Sequence, residues 1–401
     1  MEQTTRNTFI FLNFIFFLFA CYIQANFLST PNYLFRDITR KEIRPPYQQF
    51  NRTVFFESEN KTRCYRQVQV WRGSSTPQKL IKAECPELTC GINLVKDTSY
   101  ETMVNSDAII FYHLSSWNWV ELQRRRPMNQ AWIFYSRESP PLTGRYAVPP
   151  NKLDRIYNFT MTYRLSSTIP ISYGVYHSGI GQISSDDNRN WAEGKTGLIA
   201  WVSSKCRGRG RQSWRRLEFV ETLAKHISVD TYGYCGNKVC KRRSDFCRSV
   251  LRNHKFYLAL ENHECRDYIT EKFWKNALLH ESVPIVYGAP RKDYERVAPP
   301  NSFIHLQDFK NFSDLVYYIN LLNSNDTLYN MYFEWKKKGS IQCTGNETVV
   351  LKSPFLCKVV SILLDQHLLT SNSKEGRKKH PSIHEYWTTS CMTPTGFPRD
   401  F

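Results

Sequence analysis

The stretch Lys255-Phe-Tyr-Leu-Ala-Leu-Glu-Asn-His-Glu-Cys-Arg-Asp-Tyr-Ile-Thr-Glu-Lys-Phe-Trp-Lys-Asn-Ala-Leu-Leu-His-Glu-Ser-Val-Pro-Ile-Val-Tyr287 holds three elements of one repeating pattern. Residues 255–260 form an apolar run that reads as a strand, 270–280 carry a helix, and 283–287 form a second apolar strand. The alternation continues on both sides. Upstream lie a strand at 197–202 and a helix at 214–227; downstream lie a strand at 302–306 and a helix at 312–322. Such alternation predicts a parallel sheet with helices on both faces. Before a polar stretch at 184–195, the runs at 108–112 (Ala-Ile-Ile-Phe-Tyr) and 131–135 (Ala-Trp-Ile-Phe-Tyr) read as buried strands of another parallel sheet. The expected fold class is α/β, with two Rossmann-like domains at 61–183 and 184–360 facing a cleft, then a tail at 361–401.

The 401 residues include 54 Lys+Arg against 36 Asp+Glu, a net charge of +18, and 14% aromatic side chains. So many core-forming rings exclude a largely disordered chain. A single long apolar run excludes a multi-span membrane protein. The basic surplus points to nucleic acid, an anionic membrane surface or a phosphate-bearing ligand.

The N-terminus narrows that choice. Residues 9–23 are apolar apart from Asn13. As a helix they span about 22 Å, and extension to Leu28 is enough to cross a thin bilayer. The expectation is a cytoplasmic tail at 1–7, a transmembrane signal anchor at 8–28 and a stem at 29–60, where Pro31, Pro45 and Pro46 fall. A signal peptide cleaved after Ala25 is the alternative. Both readings place the remainder in the secretory lumen. Sequons at Asn51, Asn60, Asn158, Asn311, Asn325 and Asn346 agree with this, as N-glycosylation candidates. Eleven cysteines follow the apolar segment with no Cys-x-x-Cys spacing, which suits disulfides in an oxidising lumen better than zinc. The odd count leaves at least one thiol without a partner in the chain. Cys343, Cys357 and Cys391 are expected to tie the C-terminal part down by disulfides. Nucleic acid is thereby excluded as a partner. A luminal protein meets phosphate in nucleotide sugars, sulfate donors or charged glycans.

In open parallel sheets ligands bind beyond the carboxyl ends of the strands. Four groups fall there: Glu138; Ser203 to Lys205 with the arginines after them; Glu261 and Asn262; and Asp267-Tyr-Ile-Thr-Glu-Lys272 at the start of a helix. A helix start with Lys272 suits phosphate, and Glu271 suits sugar or ribose hydroxyls. The bland alternative makes both solvated first-turn residues, and Glu138 a loop carboxylate. Lys205, Arg207, Arg209 and Arg211 read as a solvated basic loop. Arg215 and Arg216 fall in the first turn of the next helix, where a cation opposes the dipole unless an anion is near, so they are the candidates for pyrophosphate. No dinucleotide fingerprint, Walker A sequence or Asp-x-Asp occurs. The missing Asp-x-Asp leans towards a two-domain glycosyltransferase design without an obligatory metal.

Several blocks resemble the α1,3-fucosyltransferase family. They are Tyr257-Leu-Ala-Leu-Glu-Asn262, Asp267-Tyr-Ile-Thr-Glu-Lys272, Asn276-Ala277, Val283-Pro-Ile-Val286 with Gly288, and Ser302-Phe-Ile-His305 with Asp308-Phe309. Upstream, Asp107-Ala108 with Phe111, Arg126-Pro127, Glu138-Ser-Pro140 and Asn158-Phe-Thr-Met-Thr-Tyr-Arg164 follow the same order. Ala200-Trp-Val202 with Ser204, His226, Asp230 and Tyr232-Gly233 extend the likeness over roughly residues 100–335. The resemblance implies a type II Golgi membrane protein with a two-domain GT-B fold that uses GDP-fucose. It implies Glu138 as catalytic base, Arg216 on the donor pyrophosphate, and Ser204, Asn262, Tyr268, Glu271 and Lys272 completing the GDP-fucose site. The acceptor it implies is an N-acetylglucosamine-containing glycan on glycoprotein or glycolipid. Departures from the family pattern are Lys205 for the asparagine after the serine, a 165–168 stretch without acidic residues, and His280-Glu281 before Val-Pro. A catalytically silent carbohydrate-binding homologue and a luminal sulfotransferase are the alternatives.

Overall fold

The computed structural model describes residues 64–72, 78–112, 118–147, 155–206, 214–241, 244–345, 355–365 and 382–392. The expected tail, anchor and stem, the sequons at Asn51, Asn60 and Asn346, and Arg207, Arg209 and Arg211 lie outside them. Among the described residues no helix is long and apolar enough to cross a membrane.

The first sheet has seven strands: β1 (Cys64–Trp71), β2 (Gln78–Ala83), β3 (Cys90–Asp97), β4 (Ala108–Tyr112), β5 (Ala131–Ser136), β6 (Phe159–Thr162) and β7 (Ile169–Pro170). Their order is β2-β3-β1-β4-β5-β6-β7. All neighbours run parallel except β2 against β3, so the sheet is mixed where a parallel one was expected. Every residue of β4 and β5 is buried, which is why both strands stand out as unbroken apolar runs.

The second sheet holds β9 (Gly197–Val202), β10 (Val229–Tyr232), β11 (His254–Leu260), β12 (Val283–Tyr287) and β13 (Ile304–His305), all parallel, in the order β10-β9-β11-β12-β13. The chain winds outward from β9 in both directions. That arrangement creates a topological switch point between β9 and β11, where loops leave in opposite directions and open a crevice. A two-stranded antiparallel ribbon, β8 (Gly174–Ser178) with β14 (Gly339–Cys343), completes the strands.

The 270–280 helix becomes a π-helix, Lys272–Ala277, continued by the 3₁₀ turn Leu278–His280. Such wide turns recur at functional sites. Helices at Asp245–Asn253 and Arg291–Val297 and the edge strand β10 add to the expected alternation.

The expected boundary between 360 and 361 falls within a helix. Helix Phe355–Leu364 lays Leu356, Val359, Val360 and Leu363 on one face of the first sheet, beside Val68, Ile110 and Ile133. Helix Ile383–Trp387 packs on the other face with Phe134, Tyr163 and Tyr268. The C-terminal chain therefore returns to the first sheet because its apolar side chains complete both of that sheet's faces. Disulfides fasten this return: Cys85–Cys357 and Cys265–Cys391. Cys64–Cys90, Cys206–Cys235 and Cys240–Cys247 are local. Cys343 is the free thiol among the described cysteines, against the expectation that it is bonded.

Asn158 is buried in this fold. It is 8% exposed, and its Oδ1 accepts from the Trp132 N–H at 2.8 Å and from Arg126 Nη2 at 2.5 Å, tying β5 to β6. Asn158→Ala is expected to lower stability by about 1–3 kcal/mol in thermal or denaturant unfolding, since it strands buried donors. Glycopeptide mapping is expected to return Asn158 unmodified. Asn311 and Asn325 instead cap helices at the surface, accepting from Asp314 N at 2.9 Å and Leu328 N at 3.0 Å.

Candidate active site

β9 and β11 deliver the first part of the site. Arg216 opens the helix after β9 and is 3% exposed. Its Nη1 donates to Asn262 Oδ1 at 2.6 Å and to the Leu260 carbonyl at 3.4 Å, both at the carboxyl end of β11. Its Nη2 donates to Ser203 Oγ at 3.4 Å and to the Lys205 carbonyl. The guanidinium thus spans the switch point. All of these acceptors are uncharged, and Nε is buried with no partner among the described residues. Burial pulls the guanidinium below its ordinary pKa, opposed chiefly by Glu261. A buried cation with a spare donor and no ion-pair partner is a seat for an anionic ligand.

Arg215 has a different fate. It is exposed and pairs with Glu218 one turn on, so only one of the two candidate arginines reaches the crevice. Ser204 is also exposed, while its neighbour Ser203 contacts Arg216. Among the described residues, Arg216 is therefore served by Ser203 rather than Ser204.

The helix start at Thr270 to Lys272 is already occupied. Glu261 is fully buried, and its carboxylate accepts from Thr270 N at 2.7 Å, Thr270 Oγ1 at 2.9 Å and Lys272 Nζ at 2.9 Å. Burial raises the Glu261 pKa, with Lys272 pulling it back. Burial works against the Lys272 ammonium, but Glu261 and then Glu271, 3.7 Å away, outweigh it and hold the ammonium above its ordinary value. Lys272 is a firmly charged cation balanced from within the protein. Free helix N–H groups with Lys272 beside them were expected to take phosphate; the structure commits both to Glu261, whereas Arg216 has no carboxylate within ion-pair distance among the described residues.

Gly288 makes room for Glu261. With φ at +134° it adopts a backbone that other residues rarely do, and a Cβ there would sit 2.5 Å from the Glu261 Cβ.

The first sheet supplies Glu138, just beyond β5. Ser136 Oγ accepts from the Glu138 N–H at 3.1 Å and donates to its carbonyl at 3.0 Å, folding the chain sharply before the helix Pro140–Ala147. The half-exposed carboxylate accepts from Tyr268 OH at 3.2 Å. This joins residues 130 apart in sequence. Tyr268 is buried, and burial followed by the nearby Glu138 charge keeps its pKa well above the ordinary phenol value. It remains a neutral donor aimed at the Glu138 carboxylate.

Three further contacts set this junction. Ser139 Oγ lies 2.8 Å from His263 Nδ1, both buried. Tyr173 OH donates to the Arg137 carbonyl at 2.6 Å, and Arg137 reaches Gly345 and Thr344. Asp267 carries a left-handed φ of +62°, unusual for a residue other than glycine. It is held there by Arg296, by Arg164 at 3.7 Å, and by its own N–H to Asp293 Oδ2 at 2.7 Å, which together aim Tyr268. Glu261 was visible as a strand-end carboxylate. Tyr173 and His263 carry no sequence signal, because their roles come from partners distant in the chain.

The C-terminal model of glycosyltransferase family 10 (fucosyltransferase) matches residues 192–377, and the fucosyltransferase N-terminal model matches residues 66–174. The chain belongs to this family of fucosyltransferases, as the sequence blocks suggested. It is 35% identical over 346 residues to glycoprotein 3-alpha-L-fucosyltransferase A of Drosophila melanogaster, covering 84% of this chain and 62% of that one. It is 34% identical over 278 residues to alpha-(1,3)-fucosyltransferase 7 of Bos taurus, covering 67% of this chain and 73% of that one. A crystal structure of an α1,3-fucosyltransferase with GDP-fucose aligns over 77% of this chain and 94% of its own, with 15% identity and a TM-score of 0.47.

Proposed function

We propose that the chain is an inverting α1,3-fucosyltransferase of GT-B type, moving L-fucose from GDP-β-L-fucose to an N-acetylglucosamine-containing glycan. It acts as a type II Golgi membrane enzyme with its catalytic part in the lumen. The Glu138–Tyr268 contact carries this reading, because it sets a carboxylate from one sheet beside the loop that follows the other sheet's switch point. Family membership supports GDP-fucose as donor and a glycan as acceptor.

The chemistry follows from need. A sugar hydroxyl attacks the anomeric carbon effectively only if its proton is taken as the bond forms. Glu138, positioned by the Tyr268 hydroxyl, takes that proton. The bond from C1 to the β-phosphate oxygen breaks, and negative charge develops on the departing GDP. Arg216, preplaced and dry, stabilises it. A single displacement inverts the anomeric centre, giving an α-fucoside from the β-linked donor. Lys272, with Glu261 behind it, orders Glu271 and the loop at the donor's sugar end.

Arg216 offers the test of the donor side. Arg216→Gln is expected to weaken GDP binding about 10- to 100-fold in calorimetric titration, the loss of a charge-assisted contact. Circular dichroism should confirm the fold. Wild-type GDP affinity in a folded Arg216→Gln variant would remove the pyrophosphate role.

A further inference from the structure

The C-terminal segment 382–392 is fastened to both carriers of the Glu138–Tyr268 contact. On one side it pairs with the chain that leads into Tyr268. Arg266 N donates to the Ser390 carbonyl at 2.9 Å and Met392 N donates to the Glu264 carbonyl at 2.7 Å. Between these two bonds lies the buried disulfide Cys265–Cys391. On the other side, the fully buried Trp387 donates from Nε1 to Thr143 Oγ1 at 2.9 Å. Thr143 stands in the first turn of helix Pro140–Ala147, directly behind Glu138, and its hydroxyl donates in turn to the Pro140 carbonyl at 2.7 Å.

The Trp387 ring spans the gap between the two attachments. It packs 5.3 Å from Phe134 of β5, the strand that runs into Glu138. It also packs 5.3 Å from Tyr163, whose own ring lies 4.9 Å from Tyr268. Arg164, which steadies Asp267, donates to the Tyr386 carbonyl, and Tyr386 OH meets Ser167 Oγ at 2.7 Å. An indole N–H inside such a ring cluster needs an acceptor, and Thr143 supplies it, which fixes the rotation of Trp387.

We propose that Trp387 is a positioning residue for the transfer reaction, and that with the Cys265–Cys391 disulfide it clasps Glu138 and Tyr268 at their working separation. The proposal rests on Glu138 as the base. A base must lie within hydrogen-bond reach of the proton it takes, and a misplacement of about 1 Å costs about 10²-fold in rate. The 3.2 Å contact joins residues 130 apart in sequence, so no local turn sets it. Trp387 acts on it from both sides, through Thr143 and through Tyr163. The donor cation is held separately, by Ser203, Leu260 and Asn262 at the switch point.

The test is a cycle of rates on the full chain. Trp387→Phe keeps a ring and loses the donor; Thr143→Val keeps the shape and loses the acceptor. Cys265→Ala combined with Cys391→Ala opens the covalent joint. Each is expected to lower kcat for fucose transfer about tenfold, with GDP affinity by calorimetry within about twofold of the parent. Trp387→Phe and Thr143→Val remove the same bond, so together they should cost no more than either alone. In a Glu138→Gln background the same changes should leave the residual rate unaltered, because the base they position is gone. A merely structural role would lower it by the same factor in both backgrounds. That equal loss, or parental kcat in both Trp387→Phe and Thr143→Val, would overturn the proposal. Near-parental transfer by Glu138→Gln would instead remove the base assignment beneath it.

Discussion

Glu138→Gln is expected to reduce fucose transfer by about 10²- to 10⁴-fold, the range for removing a positioned general base. Glutamine keeps the shape of the side chain and can still accept from Tyr268 OH, now at 3.2 Å from Glu138 Oε2. The junction between the sheets therefore survives, and GDP affinity should stay within about twofold, since the pyrophosphate contact resides on Arg216 across the switch point. Loss of kcat with preserved GDP binding separates the base from a merely structural residue. Near-normal turnover in Glu138→Gln would end its assignment as base.

Lys272→Met is the second large effect, and its readout is stability. Lys272 Nζ is the cationic partner of the fully buried Glu261 carboxylate. Removing one partner of a buried pair costs about 3–5 kcal/mol, because the other charge is left uncompensated. The single variant should unfold at much lower denaturant. Adding Glu261→Gln removes the stranded charge while keeping an acceptor for Thr270 N, so the double variant should regain much of that loss. Transfer should remain impaired in both, because the loop bearing Tyr268 and Glu271 has lost the ion pair that orders it. If the single variant is as stable as the parent, the pair is not the core of that loop.

The legible parts of the fold were those buried on both faces. β11 and β12 are apolar throughout because sheet neighbours and helices cover every side chain, so they read as strands without ambiguity. β10 escaped because it is an edge strand: Val229, Asp230 and Thr231 are only half-buried, and a half-wet strand carries mixed residues. Helix Asp245–Asn253 escaped because its buried face is a narrow stripe of Cys247, Val250 and Leu251 between charges. The C-terminal return was hidden for a different reason. Nothing local in 355–364 says which sheet those apolar residues complete.

The site was legible in the same uneven way. Glu138, Arg216, Asn262 and Tyr268 stand at strand ends or helix starts, where position alone marks them, and the structure brings Arg216 to Asn262 and Glu138 to Tyr268. Electrostatic balance was not legible. That Glu261 claims Lys272, that Arg215 turns outward, and that Ser203 rather than Ser204 meets Arg216 all depend on side-chain geometry. Of the +18 surplus, Arg216 is the cation that the structure buries at the switch point without a carboxylate partner among the described residues.

The most direct test of the whole account is the linkage of the product. The full chain is incubated with GDP-β-L-fucose and a glycan ending in N-acetylglucosamine, and the new anomeric proton is read by NMR. The expected product is an α-linked fucose, formed by the parent chain and at least about 10²-fold more slowly by Glu138→Gln. A β-linked product, or no transfer from GDP-fucose despite its binding, would contradict it.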